Sequence, residues 1–169
     1  MTVSLPRRLN HVAYVTRDTA STIRFYRDVL GMRLISYAEG DEVPSTQDAT
    51  PFLHTFFQMG DGSCIAFFEI EGLPEETAAS VIPRWAPHLA LSVDGQEELD
   101  AAQRRLEGAG VEVRGPVEHE GIWKSIYFFD PNGIRLELTW QSRALTDEDA
   151  DRAAIEVERW LAEHGAARS

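Results

Sequence analysis

Residues Ser125–Trp140, SIYFFDPNGIRLELTW, decide how this chain is read. Ile126–Phe129 is aromatic and β-favouring, Asp130-Pro131-Asn132-Gly133 supplies a tight turn, and Ile134–Trp140 should return as the antiparallel partner. Alternation sorts the returning arm into two faces: Ile134, Leu136, Leu138 and Trp140 on one side, Arg135, Glu137 and Thr139 on the other. That polar face either meets water or lines a cavity that uses a carboxylate. The residues around it bear on which.

Upstream of the hairpin, Gly115–Gly121 reads as a loop and Val111–Val113 as a short strand. Leu99, Ala102, Leu106 and Ala109 make a helical stripe ended by Gly108 and Gly110, and Trp85–Val93 (WAPHLALSV) reads as a strand. The same order occurs once before. Asn10–Thr16 is β-like, Asp18 or Thr19 can cap a helix, and Ile23, Tyr26, Val29 and Leu30 recur at helical spacing until Gly31. Arg33–Tyr37 follows as a strand. Gly40–Thr50 is a polar loop of the length that often closes over a site, and Pro51–Met59 and Ser63–Ile70 are strands around Gly60-Asp61-Gly62.

Overlaid, His11-Val-Ala13 matches His88-Leu-Ala90, and Gly31-Met-Arg-Leu matches Gly110-Val-Glu-Val. TFFQMGDGSCIAFF matches IYFFDPNGIRLELT with the turn glycines in register. The expected fold is therefore α+β, a βαβββ module over residues 8–72 repeated over 84–141, within a domain of residues 1–145. Residues 72–84, with Pro74 and Pro83, connect the modules. Thr146-Asp-Glu-Asp149 opens a helical extension over 146–169, whose apolar stripe is Ala150, Ala153, Ala154, Val157, Trp160 and Leu161.

Composition narrows the function. Hydrophobic residues at 43% and charged residues at 26% suit a soluble core-forming domain. The net charge of −12, from 28 acidic and 16 basic residues, argues against nucleic acid and anionic membranes as partners. No apolar run approaches the roughly 18 residues of a membrane span, and MTVSLPRRLNH lacks the apolar core of a signal peptide, so a cytoplasmic location is expected. Cys64, the single cysteine, excludes an internal disulfide and reads as a small buried hydrophobe. Nucleophilic hydrolysis, nucleotide binding and thiol redox chemistry have no motif here: there is no Ser-His-Asp spacing, glycine-rich phosphate loop or CxxC pair.

Alternation puts His11, Ala13 and Val15 on one face of the first opening strand and His88, Ala90 and Ser92 on the matching face of the second. Alanine two places after each histidine leaves room beside the imidazole that a packed core would fill. If the two sheets curve around one space, His11, His88 and Glu137 converge. Two imidazoles and a carboxylate suit a divalent metal with open positions, Fe(II) and also Mn(II) or Zn(II). Taken singly, each histidine fits a hydrogen-bonded core position and Glu137 a solvated strand position. The joint placement at equivalent points of the repeat favours a site.

His54 shares a face with Phe56 and reads as a pocket position or a core one. His119, on the expected loop, reads as an acid–base group, a substrate contact or a solvated residue. Glu69 and Glu71 read as solvated edge charges. Phe56, Phe57, Phe67, Phe68 and Trp123 can form either a slot for an aromatic substrate or an ordinary core.

LNHVAYVTRD, IRFYRDVLGM, PHLALSV and the hairpin resemble the vicinal oxygen chelate superfamily over roughly residues 8–141. Its members include glyoxalase I, methylmalonyl-CoA epimerase, type I extradiol dioxygenases and bleomycin-resistance proteins. The resemblance implies paired modules forming a U-shaped mixed sheet around a metal cleft, with His11, His88 and Glu137 as ligands to Fe(II), or to Mn(II), Zn(II) or Ni(II), and a homodimer. Glyoxalase I and the epimerase carry a fourth ligand where this chain has Ala66. Three ligands resemble the extradiol branch, in which Tyr127 matches the active-site tyrosine. That branch's catalytic histidine is replaced here by Gly62 or Ser63, which leaves His54 or His119 for acid–base work. The expected activity is extradiol-type cleavage of a catechol-like small molecule with O2. The alternatives are a lyase or isomerase of the same superfamily and a metal-free, resistance-type binding protein.

Overall fold

The computed structural model describes residues 8–43, 45–74 and 82–164. The first module contributes β1 (His11–Thr16), β2 (Arg33–Gly40), β3 (Phe52–Gln58) and β4 (Cys64–Ile70). The second contributes β5 (Leu89–Ser92), β6 (Arg114–His119), β7 (Trp123–Phe129) and β8 (Arg135–Gln141). The sheets have the same topology, β1-β4-β3-β2 and β5-β8-β7-β6. In each, the opening strand runs parallel to the last and the other pairs are antiparallel. The repeat is thus a repeat of structure. Ala13 and Phe56 flank Ala66, just as Ala90 and Tyr127 flank Glu137.

Helix α1 (Thr19–Ile23) follows β1 and widens into a π-helical turn over Arg24–Val29. Its i→i+5 bond from Leu30 N–H to the Phe25 carbonyl is 2.9 Å. The spacing of Ile23, Tyr26, Val29 and Leu30 predicts an ordinary helix; the wider turn instead lets adjacent Phe25 and Tyr26 both be buried. Asp18 accepts from Ser21 N–H at 2.9 Å, and Glu69 from Thr19 N–H at 2.8 Å. Glu69 is therefore an acceptor for the start of α1, rather than the solvated edge charge expected. Helix α2 is Gln96–Gly108, with Leu99, Ala102 and Leu106 buried.

One core joins the modules. Phe25, Tyr26, Phe57, Ile65 and Phe67 pack in a single cluster with Leu91, Leu99, Leu106, Ile126, Phe128 and Leu136. Phe57 and Phe67 therefore belong to the core, while Phe56 and Phe68 sit with His54 on the opposite face. A polar seam crosses the same junction: Tyr26 OH donates to Asp130 Oδ2 at 3.0 Å and Thr16 Oγ1 to Asn132 Oδ1 at 2.8 Å. Burial, reinforced by the Asp130 charge, drives the Tyr26 phenol pKa far above its ordinary value. Asp130 also shapes the β7–β8 turn by accepting from Asn132 and Ile134 N–H, and Gly133 completes that turn at φ +78°.

Three expected boundaries change. Only Leu89–Ser92 of Trp85–Val93 is strand, so His88 stands at the entrance to β5. Strand β2 continues to Gly40. The loop expected over Gly115–Gly121 is largely β6, while Val111–Val113 is not strand, and His119 ends a strand opposite Trp123. Gly and Pro obscured this strand: the register shifts between Arg114 and Val117, where Pro116 lacks an N–H. Gly115 is required there, at φ +125° with any Cβ only 2.7 Å from the Ser125 carbonyl oxygen.

Helix α3 spans Asp147–His164 and starts as the capping pattern predicts. Thr146 N–H donates to Asp149 Oδ2 at 2.8 Å and Asp149 N–H returns to Thr146 Oγ1 at 3.4 Å. Val157 and Leu161 on its apolar stripe remain 57% and 59% exposed. Cys64 is free and partly buried. Among the described residues no helix is long and apolar enough to cross a membrane. Residues 75–81 of the connector lie outside the described residues.

Candidate metal and substrate site

On the polar face of β8, Glu137 is turned away from water. It lies opposite Tyr127 of β7 and beside Ala90 of β5, and only 7% of it reaches solvent. His88 Nε2 stands 3.0 Å from Glu137 Oε2. The other ring nitrogen is committed: His88 Nδ1–H donates to the Ala86 carbonyl at 3.0 Å. In a neutral imidazole held this way Nε2 carries a lone pair, and a lone pair facing a carboxylate oxygen at that distance is repulsive. The gap calls for a proton or a cation. A backbone carbonyl on the far nitrogen is also the usual support of a metal-ligating histidine.

Tyr127 adds a proton-handling group to the same face. Its hydroxyl shares a hydrogen bond with His119 Nε2 at 2.8 Å, and its ring meets the His88 ring edge-on at 6.1 Å. Burial raises the phenol pKa above its ordinary value and the nearby Glu137 charge raises it further, so Tyr127 keeps its proton at neutral pH. His119 comes within reach because β6 is a strand in register with β7. Arg135 lies over the Tyr127 ring at 4.1 Å and donates to the Trp85 carbonyl.

The first sheet carries a counterpart with no carboxylate. His11 Nδ1–H donates to Asn10 Oδ1 at 2.7 Å, which leaves Nε2 as its free nitrogen, as in His88. The His11 ring sits edge-on to Phe56 at 5.5 Å and 6.3 Å from the His54 ring. His54 Nδ1–H donates to the Phe67 carbonyl at 3.0 Å, and its ring stacks on Phe68 at 3.6 Å. Burial lowers the His54 pKa, so this imidazole is held neutral. Ala66, fully buried, occupies the place equivalent to Glu137 and supplies no donor.

One chain thus brings His88, Glu137, Tyr127 and His119 together on the second sheet and His11 with His54 on the first. Among the described residues no three or more His, Cys, Asp or Glu side chains are grouped to hold a metal ion. His11 lies on β1 and His88 at the entrance to β5, each an end strand of its sheet. The expectations omitted Arg84, whose guanidinium covers the Phe129 ring at 4.4 Å. Period-two alternation already placed Arg135 on the Glu137 face, but Arg84 precedes β5 in irregular chain and has no such signal.

Comparison with known proteins agrees with this architecture. The chain is 29% identical over 144 residues to biphenyl-2,3-diol 1,2-dioxygenase 3 of Rhodococcus globerulus, covering 85% of this chain and 68% of that one. It is also 29% identical over 131 residues to metallothiol transferase FosB of Bacillus licheniformis, covering 77% and 73%. Among solved structures, a glyoxylase/bleomycin resistance protein/dioxygenase domain from Frankia sp. EAN1pec superposes with a TM-score of 0.64 at 23% identity, over 83% of this chain and 96% of that one. A mutant of fosfomycin resistance protein FosX from Listeria monocytogenes, complexed with Mn(II) and 1S,2S-dihydroxypropylphosphonic acid, gives 0.57 at 23% identity over 83% and 96%. A model of one family matches residues 8–138, and the chain belongs to that family, the Glyoxalase/Bleomycin resistance protein/Dioxygenase superfamily.

Proposed function

We propose that the protein is a metal-dependent enzyme, an extradiol-type dioxygenase acting with O2 on a catechol-like small molecule. In this reading His88 and Glu137 of one copy and His11 of the partner subunit hold Fe(II), a donor set that also suits Mn(II), Zn(II) or Ni(II). The observation that carries it is the 3.0 Å between His88 Nε2 and Glu137 Oε2, with Nδ1 already bonded to Ala86. An imidazole nitrogen and a carboxylate oxygen are donors that would together hold a divalent ion. His11, with its own Nδ1–H engaged and Nε2 free, is prepared in the same way. Its position on end strand β1, like the position of His88 at end strand β5, supports completion of the site by pairing two copies.

When bound, the ion would supply a Lewis acid that lowers the pKa of adjacent substrate hydroxyls. The chain's own residues handle the protons. Tyr127 keeps a hydroxyl proton to donate to a substrate oxygen, and His119 Nε2, hydrogen-bonded to that hydroxyl, orients it. His54 is a neutral imidazole beside His11, suited to take a proton from the substrate. Ala66 in the fourth-donor place favours dioxygenase chemistry over lyase or isomerase chemistry, which would use a donor there. The match to the Rhodococcus globerulus dioxygenase supports the same reading. A metallothiol-transferase-type activity is the second reading, favoured by the FosB match.

Oxygen uptake by anaerobically Fe(II)-loaded protein, measured with a catechol panel, tests the reaction. Stoichiometric O2 consumption with a ring-opened product is expected. Thiol consumption without O2 uptake would transfer the assignment to the second reading. The shared site is tested by mixing His11→Ala and Glu137→Ala proteins, each inactive alone. Activity should return on subunit exchange, and a mixture that stays inactive after verified exchange would refute it.

A further inference from the structure

A hollow of about 360 Å³ opens beside His88, lined also by Tyr14, Arg84, Phe129 and Arg135. That volume is at the small end of the roughly 300–1,000 Å³ of ligand pockets and suits a single-ring molecule. Its two cations are displayed in an unusual way for a chain of net charge −12. The Arg84 guanidinium carbon lies over the Phe129 ring, 4.4 Å from its centre, and that of Arg135 over the Tyr127 ring at 4.1 Å. Stacking engages the face of a guanidinium and leaves its N–H edge for hydrogen bonds.

Among the described residues neither Arg84 nor Arg135 forms a salt bridge with a carboxylate. Arg135 spends one nitrogen on the Trp85 carbonyl, and the carboxylate on its own face, Glu137, is directed at His88.

We propose that Arg84 and Arg135 form an oxyanion-binding site that reads a carboxylate or phosphonate group on the substrate. The anion binds along the guanidinium edges while the rest of the molecule extends toward His88 and Glu137. This rests on the metal-site reading for what lies at the other end of the substrate, but not for binding of the anion itself. The substrate class narrows to anionic aromatic or other small compounds, so within a catechol panel the members bearing a carboxylate or phosphonate are the preferred ligands.

The test is calorimetric titration of the purified full chain, as isolated and again after chelation, with benzoate, phenylphosphonate and benzamide. Benzoate or phenylphosphonate should bind about tenfold or more tightly than neutral benzamide, the effect of a charge-assisted contact, and whichever anion is preferred identifies the group read. Arg84→Gln should weaken the preferred anion about tenfold and Arg84→Glu should abolish its binding, with both variants melting as wild type because Arg84 is exposed. Equal affinity for benzamide, no binding of either anion, or anion affinities unchanged in both variants would overturn the proposal. Anion binding that persists after chelation, in a protein that takes up no metal, would refute the metal reading and leave this site standing.

Discussion

Replacing Glu137 with glutamine separates a metal ligand from a structural ion-pair partner. In the chelated protein the neutral tautomer of His88 that keeps Nδ1–H on Ala86 faces a carboxylate oxygen at 3.0 Å through a bare Nε2 lone pair. A glutamine amide has nearly the same shape and supplies an N–H in that gap. The new hydrogen bond is worth about 0.5–1.5 kcal/mol, and in a chain of this size each kcal/mol moves the midpoint by roughly 2–4 °C. Chelated Glu137→Gln should therefore melt about 1–6 °C above chelated wild type. Adding Mn(II) or Fe(II) at about 100 times its Kd stabilises the wild type by about 2.7 kcal/mol, or roughly 5–10 °C, and the variant by much less. The order of the two melting curves should invert on adding metal, as followed by calorimetry with and without chelator. If the carboxylate instead serves His88 as a buried ion-pair partner, its removal costs about 3–5 kcal/mol. Chelated Glu137→Gln would then melt several degrees below wild type, and the reasoning from the His88 tautomer would be refuted.

Tyr26→Phe removes the fully buried hydroxyl that donates to Asp130 Oδ2 at 3.0 Å. Asp130 keeps its bonds from Asn132 and Ile134, so the loss should fall near the low end for a charged acceptor, about 1.5–2 kcal/mol by urea denaturation, with metal uptake unaltered. An unchanged midpoint would show that the polar seam does not hold the modules together. Burial lowers the His54 pKa in the folded state, so unfolding takes up a proton. The stability His54 contributes is complete above the ordinary histidine value and declines as pH falls through its depressed folded value. Between pH 8 and pH 5 the wild-type urea midpoint should fall more than that of His54→Gln, and parallel declines would contradict the assignment.

Local patterns were enough to identify the repeated βαβββ order, the two turn glycines, the cap at Thr146 and the shared face of Arg135 and Glu137. Each depends on residues a few positions apart, where backbone sterics and period-two alternation act directly. The failures were also local in cause. Gly115 and Pro116 disguised β6, and an ordinary helical spacing concealed the π turn that buries Phe25 beside Tyr26.

The contacts on which chemistry turns lay beyond any such pattern. That His119 reaches Tyr127, that His88 faces Glu137 at 3.0 Å, and that Arg84 settles on Phe129 depend on the register of strands distant in sequence and on irregular chain before β5. Alternation assigns a side chain to a face, but its neighbour on that face is set by the cross-strand pairing and by packing around a common core. The sequence by itself therefore determined which residues were available for a site. Tertiary structure decided their grouping, by placing His11 on one sheet and its proposed co-ligands on the other.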